Sequence, residues 1–190
     1  EELRAKKPCA VILSGGPASV YEEGAPHVDR RLFELGIPLL GICYGMQLIA
    51  HLLGGTVERS KKCEFGLAKV VVDNATGIFH RFLRGDSLDV WMSHGDRIAS
   101  MPLGFETVGT SANTPFCAVA NAERKIYGVQ FHPEVVHTAR GTDVIGSFLF
   151  EVAGLSPSWT PGSFTDDAIK LVKDRVGASE HAICGLTGGV

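Results

Sequence analysis

The chain has 190 residues, of which 45% are hydrophobic, and it carries 18 Lys and Arg residues against 21 Asp and Glu residues. This length is enough for the core of one ordinary domain with some residues left over, but it is short for two complete domains. The small negative net charge argues against a nucleic-acid-binding protein, and the apolar content argues against a disordered one.

The cysteines and the least charged stretch of the chain bear on its cellular environment. The five cysteines are odd in number and form no C-x-x-C pair, so we expect neither a disulfide framework nor a metal site. All of them except Cys43 are predicted to be small buried residues. Residues 35–57 lack Asp, Glu, Lys and Arg, but their five glycines argue against a membrane-spanning helix. With no recognisable signal peptide, we predict a cytoplasmic protein that binds neither a membrane nor a nucleic-acid polymer.

The first third of the chain alternates between apolar strands and helices. Residues 9–13 and 38–42 are short apolar runs that end at glycine-containing turns, whereas residues 26–35 and 45–53 carry apolar side chains at helical spacing. Uniformly apolar strands joined by helices are typical of a parallel sheet that is covered on both faces. The sequence therefore predicts an α/β fold.

The remainder of the chain is predicted to add further strands, a closing helix at residues 142–152 and a separate end segment. Residues 154–163 are rich in Ser, Pro and Gly and indicate a linker, which a helix at 164–176 and a strand at 182–186 follow. Gly, Pro, Asn and Asp separate the short strands that we expect before the closing helix, at residues 66–72, 87–92, 106–111, 116–121 and 125–130.

The motif Gly-Ile-Cys-Tyr-Gly at residues 41–45 lies where a buried strand turns into a helix. It has the form of a nucleophile elbow, which presents its central side chain above the edge of the sheet. Cys43 would stand at a helix N-terminus, where free N–H groups favour the thiolate and the Tyr44 N–H can face an oxyanion. A buried structural cysteine in an ordinary strand-to-helix turn is the alternative, and the motif alone does not decide between them.

A histidine that can act as the base occurs in residues 128–134, Gly-Val-Gln-Phe-His-Pro-Glu. Residues two apart in extended backbone project to the same side, and Pro133 favours that conformation at His132, so His132 and Glu134 share a face. Glu134 can then hold the imidazole in the tautomer that a base requires. Taken alone, the segment is more simply a surface ion pair; its combination with Cys43 favours catalysis.

Two further segments are weaker candidates. Residues 14–17, Ser-Gly-Gly-Pro, follow the first strand, and paired glycines let backbone N–H groups approach a ligand as an oxyanion hole requires, although they also form ordinary turns. Residues 91–96, Trp-Met-Ser-His-Gly-Asp, place polar groups at the end of another strand, in a loop of the kind that binds ligands. A turn capped by Asp96 is the simpler interpretation of that second segment.

Together these motifs resemble the class I, or triad, glutamine amidotransferases, from residue 9 to about residue 152. Three segments are similar to the GMP synthetase branch of this family in particular: the Ser-His-Gly-Asp motif at 93–96, the Val-His-Thr motif at 136–138, and Trp-Thr-Pro-Gly-Ser-Phe at 159–164. Residues 185–190 resemble the opening of the ATP-pyrophosphatase loop of that branch, with Thr187 where Ser is usual.

The resemblance implies a flavodoxin-like fold with a mostly parallel central sheet, helices on both faces and additional antiparallel strands. It also implies three segments along the chain. Residues 1–153 would be a glutaminase domain that lacks the first strand and helix of the family, residues 154–163 a linker, and residues 164–190 the truncated start of a synthetase domain.

The same resemblance implies that L-glutamine is hydrolysed to release ammonia. Cys43 would attack the side-chain amide, His132 would protonate the departing ammonia, and Glu134 would complete the triad. Backbone N–H groups of Gly16 and Tyr44 would hold the oxyanion.

Substrate and cofactor residues also follow from the resemblance. Gln47, Ser93 and Asp96 would bind glutamine, and the partial ATP loop would include Thr187, Gly188 and Gly189. The glutaminase step needs no cofactor or metal. In the complete enzyme, which the family allows to be a homodimer, ATP and Mg²⁺ would activate xanthosine monophosphate (XMP) and the ammonia would convert it to GMP; this chain lacks the synthetase half.

Two other interpretations stay open. The chain could be the glutaminase component of another class I amidotransferase that supplies anthranilate, carbamoyl phosphate or CTP synthesis, although residues 159–164 and the glycine-rich end argue against this. It could instead be a Cys-His peptidase or a catalytically silent binding module of the same fold, and an unreactive Cys43 in a folded chain would favour the silent module.

Overall fold

The described part of the chain forms two separate units. The structure is a computed structural model that describes residues 2–157, 161–176, 180–181 and 183. The first unit is Glu1–Leu155, and the second begins at Ser156. All strands assigned within the described residues belong to the first unit, and the second contains one assigned helix, Pro161–Val176.

Seven strands of the described residues form one mixed sheet. Their order across it is β1-β2-β7-β6-β5-β3-β4. β1, β2 and β7 run parallel, whereas the other four neighbouring pairs are antiparallel. In chain order the strands are β1 (Val11–Leu13), β2 (Leu39–Ile42), β3 (Thr56–Val72), β4 (Ser87–Ser100), β5 (Glu106–Ser111), β6 (Ala118–Asn121) and β7 (Ile126–Val129).

The prediction that this sheet is mostly parallel is wrong. Parallel pairing is confined to the three strands β1, β2 and β7. The strands from β3 to β7 are joined by connections without a long crossover helix, and such connections lead to antiparallel neighbours. The α/β alternation that the sequence indicates therefore describes only one end of the sheet.

Helices cover both faces of the parallel strands, as predicted. Successive side chains of a strand point to opposite faces, so Leu39 and Leu40 of β2 enter two different cores. Leu39 packs with Ile49 of helix α2, and Leu40 belongs to the core that contains Val144 and Phe148. The described helices of the first unit are α1 (Glu2–Lys6), α2 (Tyr44–Leu52) and α3 (Gly141–Gly146) with its π-helical continuation Ser147–Val152; the helix of the second unit is α4 (Pro161–Val176).

The predicted helix at residues 26–35 is wrong, because only a 3-10 turn forms there, at Arg30–Glu34. The Asp29 side chain accepts a hydrogen bond from the Arg31 N–H at 2.9 Å. Such local bonds offer the backbone an alternative to the α-helix. Phe33 is nevertheless buried in the core beneath this turn, which explains the apolar spacing that suggested a helix.

The strands β3 and β4 are longer than the sequence predicts, and this changes the place of residues 93–96. These residues were expected in a loop or a turn capped by Asp96, but they lie inside β4. β3 supplies the antiparallel partners, with Arg59 opposite Asp96 and Glu64 opposite His94. This part of the strand forms because of its pairing with β3, which is distant in the sequence. Its polar residues and Gly95 do not have the alternating apolar pattern that predicts a strand.

The remaining predicted elements agree with the structure to different degrees. The strands at 9–13, 38–42, 106–111, 116–121 and 125–130 form with similar bounds, as does the helix at 45–53, and α3 with its π-helical continuation accounts for the one at 142–152. α4 begins at Pro161, so the last three residues of the predicted linker are helical. The predicted strand at 182–186 lies outside the described residues except for residue 183.

The cysteines divide into buried and exposed residues. Cys43 and Cys117 are buried, whereas Cys9 and Cys63 are exposed, so the prediction of burial is wrong for those two. Cys184 lies outside the described residues.

The first turn of α2 touches β1 so closely that only glycine fits at residue 45. A methyl group on Gly45 would lie 2.1 Å from the Leu13 carbonyl oxygen. We expect Gly45→Ala to lower the free energy of unfolding by at least about 2 kcal/mol, because one of the two backbone segments must move. Urea unfolding measures this value.

Gly95→Ala is the matched control, because the nearest atom to its added methyl group would be the Cys63 sulfur at 3.9 Å. We expect the control to change the free energy of unfolding by less than about 1 kcal/mol. Equal losses in the two variants would show that the contact between Gly45 and Leu13 does not constrain the fold.

Candidate active site

Cys43 occupies a strained turn between β2 and α2. Its backbone has φ 50° and ψ −105°, a left-handed conformation that non-glycine residues rarely adopt. The Cys43 N–H donates to the Val129 carbonyl oxygen at 2.7 Å, which fixes the turn to the end of β7. The sulfur therefore stands at the N-terminus of α2, in the strand-to-helix geometry predicted for a nucleophile elbow.

The thiol of Cys43 is not poised as a thiolate in this structure. Its pKa is raised to about 11, mainly by burial and to a smaller extent by the negative charge of Glu134. Hydrogen bonds from the Tyr44 N–H and from the Gln130 side chain act in the opposite direction. The donors at the helix end act in the direction that the sequence predicts, but the loss of hydration outweighs them in the resting site.

His132 and Glu134 form the pair that the sequence predicts. The His132 Nδ1 lies 2.7 Å from the Glu134 Oε1. His132 is half-buried, whereas Glu134 is exposed. A carboxylate can only accept, so it places the imidazole proton on Nδ1 and leaves the lone pair on Nε2. That Nε2 is buried and has no hydrogen-bond partner among the described residues.

Gly15 brings the histidine and the cysteine together. A methyl group on Gly15 would lie 2.8 Å from the His132 Cε1 and 3.6 Å from the Cys43 Cβ. The turn after β1 therefore needs a glycine at this position so that both side chains can approach it. The Ser-Gly-Gly-Pro segment accordingly lies at the site, as its sequence position suggested.

A cleft of about 540 Å³ opens beside the Cys43 sulfur. It contains four of the other residues assigned to glutamine or to the oxyanion, namely Gly16, Gln47, Ser93 and Asp96. The Ser93 carbonyl oxygen accepts a hydrogen bond from the Cys43 thiol at 3.6 Å. The structure thus gathers onto one surface residues that are up to 80 positions apart in the sequence.

Gln47 is buried, and both hydrogens of its side-chain amide are committed within the protein. Its Nε2 donates to the Asp96 carbonyl oxygen at 2.9 Å and to the Gln130 Oε1 at 3.3 Å. Any group that Gln47 offers to a ligand is therefore its oxygen.

Tyr44 contributes its backbone to the site and its side chain to the fold. Its backbone N–H acts as a donor that lowers the pKa of Cys43. Its hydroxyl donates to the Pro26 carbonyl oxygen at 2.5 Å, and burial raises the pKa of that hydroxyl.

A buried polar pair that the sequence did not reveal lies behind the cleft. The His94 Nδ1 is 2.9 Å from the Asp96 carbonyl oxygen, and its Nε2 is 3.3 Å from the Glu64 Oε2. Glu64 also accepts hydrogen bonds from Asn113, at 3.2 Å, and from Thr114. Burial lowers the pKa of His94, although Glu64 and the Asp96 carbonyl oppose this shift.

Two other residues at the site were missed as well. Arg59, which lines the cleft, stands directly opposite Asp96 on the neighbouring strand. Gln130 is completely buried and reaches the Cys43 sulfur. Gln130 lies in the same short motif as His132, and this position next to the base could have identified it from the sequence. No sequence pattern identifies Arg59 or Glu64 as site residues, because their strand pairing is non-local.

Three predicted site residues, Thr187, Gly188 and Gly189, lie outside the described residues. Across the part of the chain that is described, no group of three or more His, Cys, Asp and Glu side chains has the arrangement of a metal site. None of the described helices is both long enough and apolar enough to cross a membrane.

The fold and this constellation define a class of protein. The chain belongs to the class I glutamine amidotransferases, because the family model described as "Glutamine amidotransferase class-I" matches residues 1–152. The resemblance inferred from the motifs is confirmed.

Within that class, the chain is similar to GMP synthases. It is 51% identical over 184 residues to the glutamine-hydrolyzing GMP synthase of Brachyspira hyodysenteriae. The matched region covers 97% of this chain and 35% of that protein. It is 48% identical over 190 residues to the corresponding enzyme of Thermobifida fusca, again with 35% of that protein covered. The chain therefore spans about a third of the length of these relatives.

Solved structures give the same picture. A protein of Thermoplasma acidophilum that is assigned as a GMP synthase component is 31% identical, with a TM-score of 0.64, over 88% of this chain and 79% of that chain. A glutamine amidotransferase of Thermotoga maritima is 28% identical, with a TM-score of 0.57, over 87% of this chain and 72% of that chain.

The raised pKa of Cys43 makes a prediction about its reactivity. Alkylation needs the thiolate, so at pH 8 and without substrate we expect iodoacetamide to modify Cys43 at least about tenfold more slowly than Cys9 or Cys63. The rate at Cys43 should continue to rise with pH toward about 11. Peptide mapping by mass spectrometry resolves the three sites.

The Cys43→Ala variant identifies the Cys43 peptide and serves as the blank in this experiment. A Cys43 that reacts as fast as the two exposed cysteines would contradict a protonated resting thiol.

Proposed function

We propose that this chain hydrolyses the side-chain amide of L-glutamine and releases ammonia, with Cys43, His132 and Glu134 as its catalytic triad. One observation carries the proposal: the strained Cys43 and the Glu134-bound His132 converge on Gly15, and Cys43 lines the adjacent cleft. A strained nucleophile next to an oriented base is the arrangement that covalent catalysis requires.

The chemistry begins with transfer of the Cys43 proton to the free Nε2 of His132. The sulfur attacks the amide carbon to form a tetrahedral intermediate, and the protonated His132 then gives its proton to the leaving nitrogen as ammonia departs. Water attacks the thioester with His132 as base, which yields glutamate and restores the thiol. Glu134 stabilises the imidazolium that forms in both halves of the reaction.

The oxyanion and the amino-acid end of glutamine are assigned to separate parts of the cleft. The N–H groups of Tyr44 and Gly16 are proposed to hold the oxyanion, since the Tyr44 N–H follows the nucleophile directly at the start of α2 and lowers the pKa of Cys43. The carboxylate of Asp96 and the free oxygen of Gln47 suit the substrate ammonium, and Ser93 lines the same region. The guanidinium of Arg59 suits the substrate carboxylate.

We further propose that the ammonia serves GMP synthesis in the whole protein. Identities of about 50% to GMP synthases support this assignment over anthranilate, carbamoyl phosphate or CTP synthesis. In that role ammonia would aminate XMP activated by ATP and Mg²⁺, in the cytoplasm, and the glutaminase step would need no cofactor. Residues 1–153 would be the glutaminase domain, residues 154–163 the linker and residues 164–190 the start of the synthetase domain.

Substitutions of the triad test the glutaminase proposal. We expect Cys43→Ala to abolish glutamine hydrolysis, and His132→Ala to lower kcat by about 10²–10⁴-fold, because the proton acceptor is lost. Glu134→Gln should lower kcat with little change in KM, because it acts through the imidazole. Glutamate release, followed by a coupled assay, measures each rate.

His80→Ala is the matched control, because His80 is exposed and its contact with Glu151, at 3.9 Å, lies outside the cleft.

A glutamine-mimicking diazo-ketone should label Cys43 alone, and glutamine should protect it. Substantial hydrolysis by Cys43→Ala would refute the nucleophile, and a folded chain that resists the label would favour a silent binding module.

A further inference from the structure

Gln130 is a buried amide that the triad chemistry does not use. It follows β7 directly, its side chain has 0% exposure, and its backbone N–H donates to the Cys117 carbonyl oxygen at 2.8 Å. Its Nε2 lies 3.7 Å from the Cys43 sulfur, within hydrogen-bonding range of a sulfur acceptor. A fully buried amide beside a nucleophile must satisfy both its donor and its acceptor atoms there.

The direction in which this amide points is fixed by a chain of hydrogen bonds. The Asp96 carbonyl oxygen can only accept, so the group of Gln47 that meets it at 2.9 Å must be the nitrogen. The second hydrogen of that nitrogen points to the Gln130 oxygen at 3.3 Å. The nitrogen of Gln130 is therefore the atom that faces Cys43.

We propose that Gln130 is a further catalytic residue, which donates its side-chain N–H to the Cys43 thiolate when the thiol loses its proton. The proposal rests on the proposed function only in that Cys43 is the nucleophile. It adds a donor from a side chain to the backbone N–H of Tyr44, and it gives Gln47 a second task, which is to hold the Gln130 amide in the productive orientation.

The surroundings of the sulfur explain why a second donor matters. In the resting state the thiol hydrogen points to the Ser93 carbonyl oxygen, at 3.6 Å. Once that proton leaves, the carbonyl can no longer bond to the sulfur and its partial negative charge opposes the thiolate. A fixed N–H on the other side then stabilises the charge without reorganisation, as electrostatic preorganisation requires.

The arrangement also couples substrate binding to the nucleophile. Gln47 lines the cleft and touches Gln130, which touches the sulfur. A ligand that contacts the Gln47 oxygen tightens an amide whose hydrogens already bind Asp96 and Gln130. Glutamine in the cleft therefore reinforces the orientation of the donor at Cys43.

The test measures iodoacetamide alkylation of Cys43 in the intact chain, between pH 7 and pH 9, without glutamine. Gln130→Met has a similar length but no donor, and we expect its alkylation rate at Cys43 to be about tenfold lower at every pH, because the thiolate loses a hydrogen bond. Gln130→Glu keeps an acceptor for Gln47 and replaces the nitrogen by oxygen, so it should slow the reaction as well. Ser147→Ala, which removes a buried hydroxyl elsewhere in the core, is the control and should leave the rate unchanged.

Cys117 reports on the fold in the same samples, because it is completely buried and bonds to the Gln130 backbone. A merely structural role would open the core, so that Cys117 and Cys43 would both react faster. An unchanged or increased rate at Cys43 in Gln130→Met, with Cys117 still protected, would overturn the proposal. If Gln130→Met exposes Cys117, the near-isosteric Gln130→Glu decides in the same way.

The experiment separates this proposal from the proposed function. Alkylation needs no glutamine turnover, so a chain that shows the expected loss but hydrolyses no glutamine would refute the glutaminase assignment and leave Gln130 as the donor to the sulfur. Where hydrolysis is present, Gln130→Met should lower kcat more than it raises KM, because Gln130 acts on the nucleophile.

Discussion

The site depends on one backbone turn, in which Cys43 adopts a left-handed conformation between β2 and α2. Such a conformation costs about 1–3 kcal/mol at a non-glycine residue and persists only where the surroundings fix it. Here the bond from the Cys43 N–H to Val129 fixes the turn to β7, and the close contact of Gly45 with Leu13 fixes α2 to β1. The turn therefore joins the ends of all three parallel strands, and the segment after β7 carries Gln130 and His132 to the sulfur.

Burial of the sulfur has a consequence for how the reaction starts. A pKa raised to about 11 corresponds to roughly 3 kcal/mol in favour of the resting thiol. Glu134 acts in two directions, because its charge opposes an isolated thiolate but stabilises the imidazolium of His132. Transfer of a proton from Cys43 to His132 leaves the net charge of the triad unchanged. Loss of that proton to water would add a negative charge to a site that has little hydration. Ionisation within the Cys43–His132 pair is therefore less costly than ionisation of Cys43 alone.

The local parts of the site could be predicted from the sequence, and the non-local parts could not. The elbow at 41–45 and the His132–Glu134 pair each lie within a few residues, where backbone geometry alone sets which side chains share a face. The parallel strands were found for the same reason, since each is a short apolar run. The strand character of residues 93–96 was missed, because it comes from pairing with Arg59 and Glu64 on β3. The apolar spacing at 26–35 correctly indicated that Phe33 is buried, but the helix that it predicted does not form. The Asp29 side chain accepts a hydrogen bond from the Arg31 N–H, which competes with α-helical hydrogen bonding.

The same pairing explains how a pair of buried polar residues is placed behind the cleft. Between Arg59 and Glu64 five steps along β3 oppose two steps along β4, from Asp96 to His94, so the extra residues of β3 form an irregularity in the ladder. A slip of one residue would turn the Glu64 side chain to the other face of the sheet and break the hydrogen bonds that it accepts from Asn113 and Thr114. Because an unpaired buried polar group is costly, the hydrogen bonds of Glu64 to Asn113 and Thr114 favour this register and the irregularity with it. His94 and Gln47 share the Asp96 carbonyl oxygen, so the register of a distant hairpin fixes the amides that lead to Cys43.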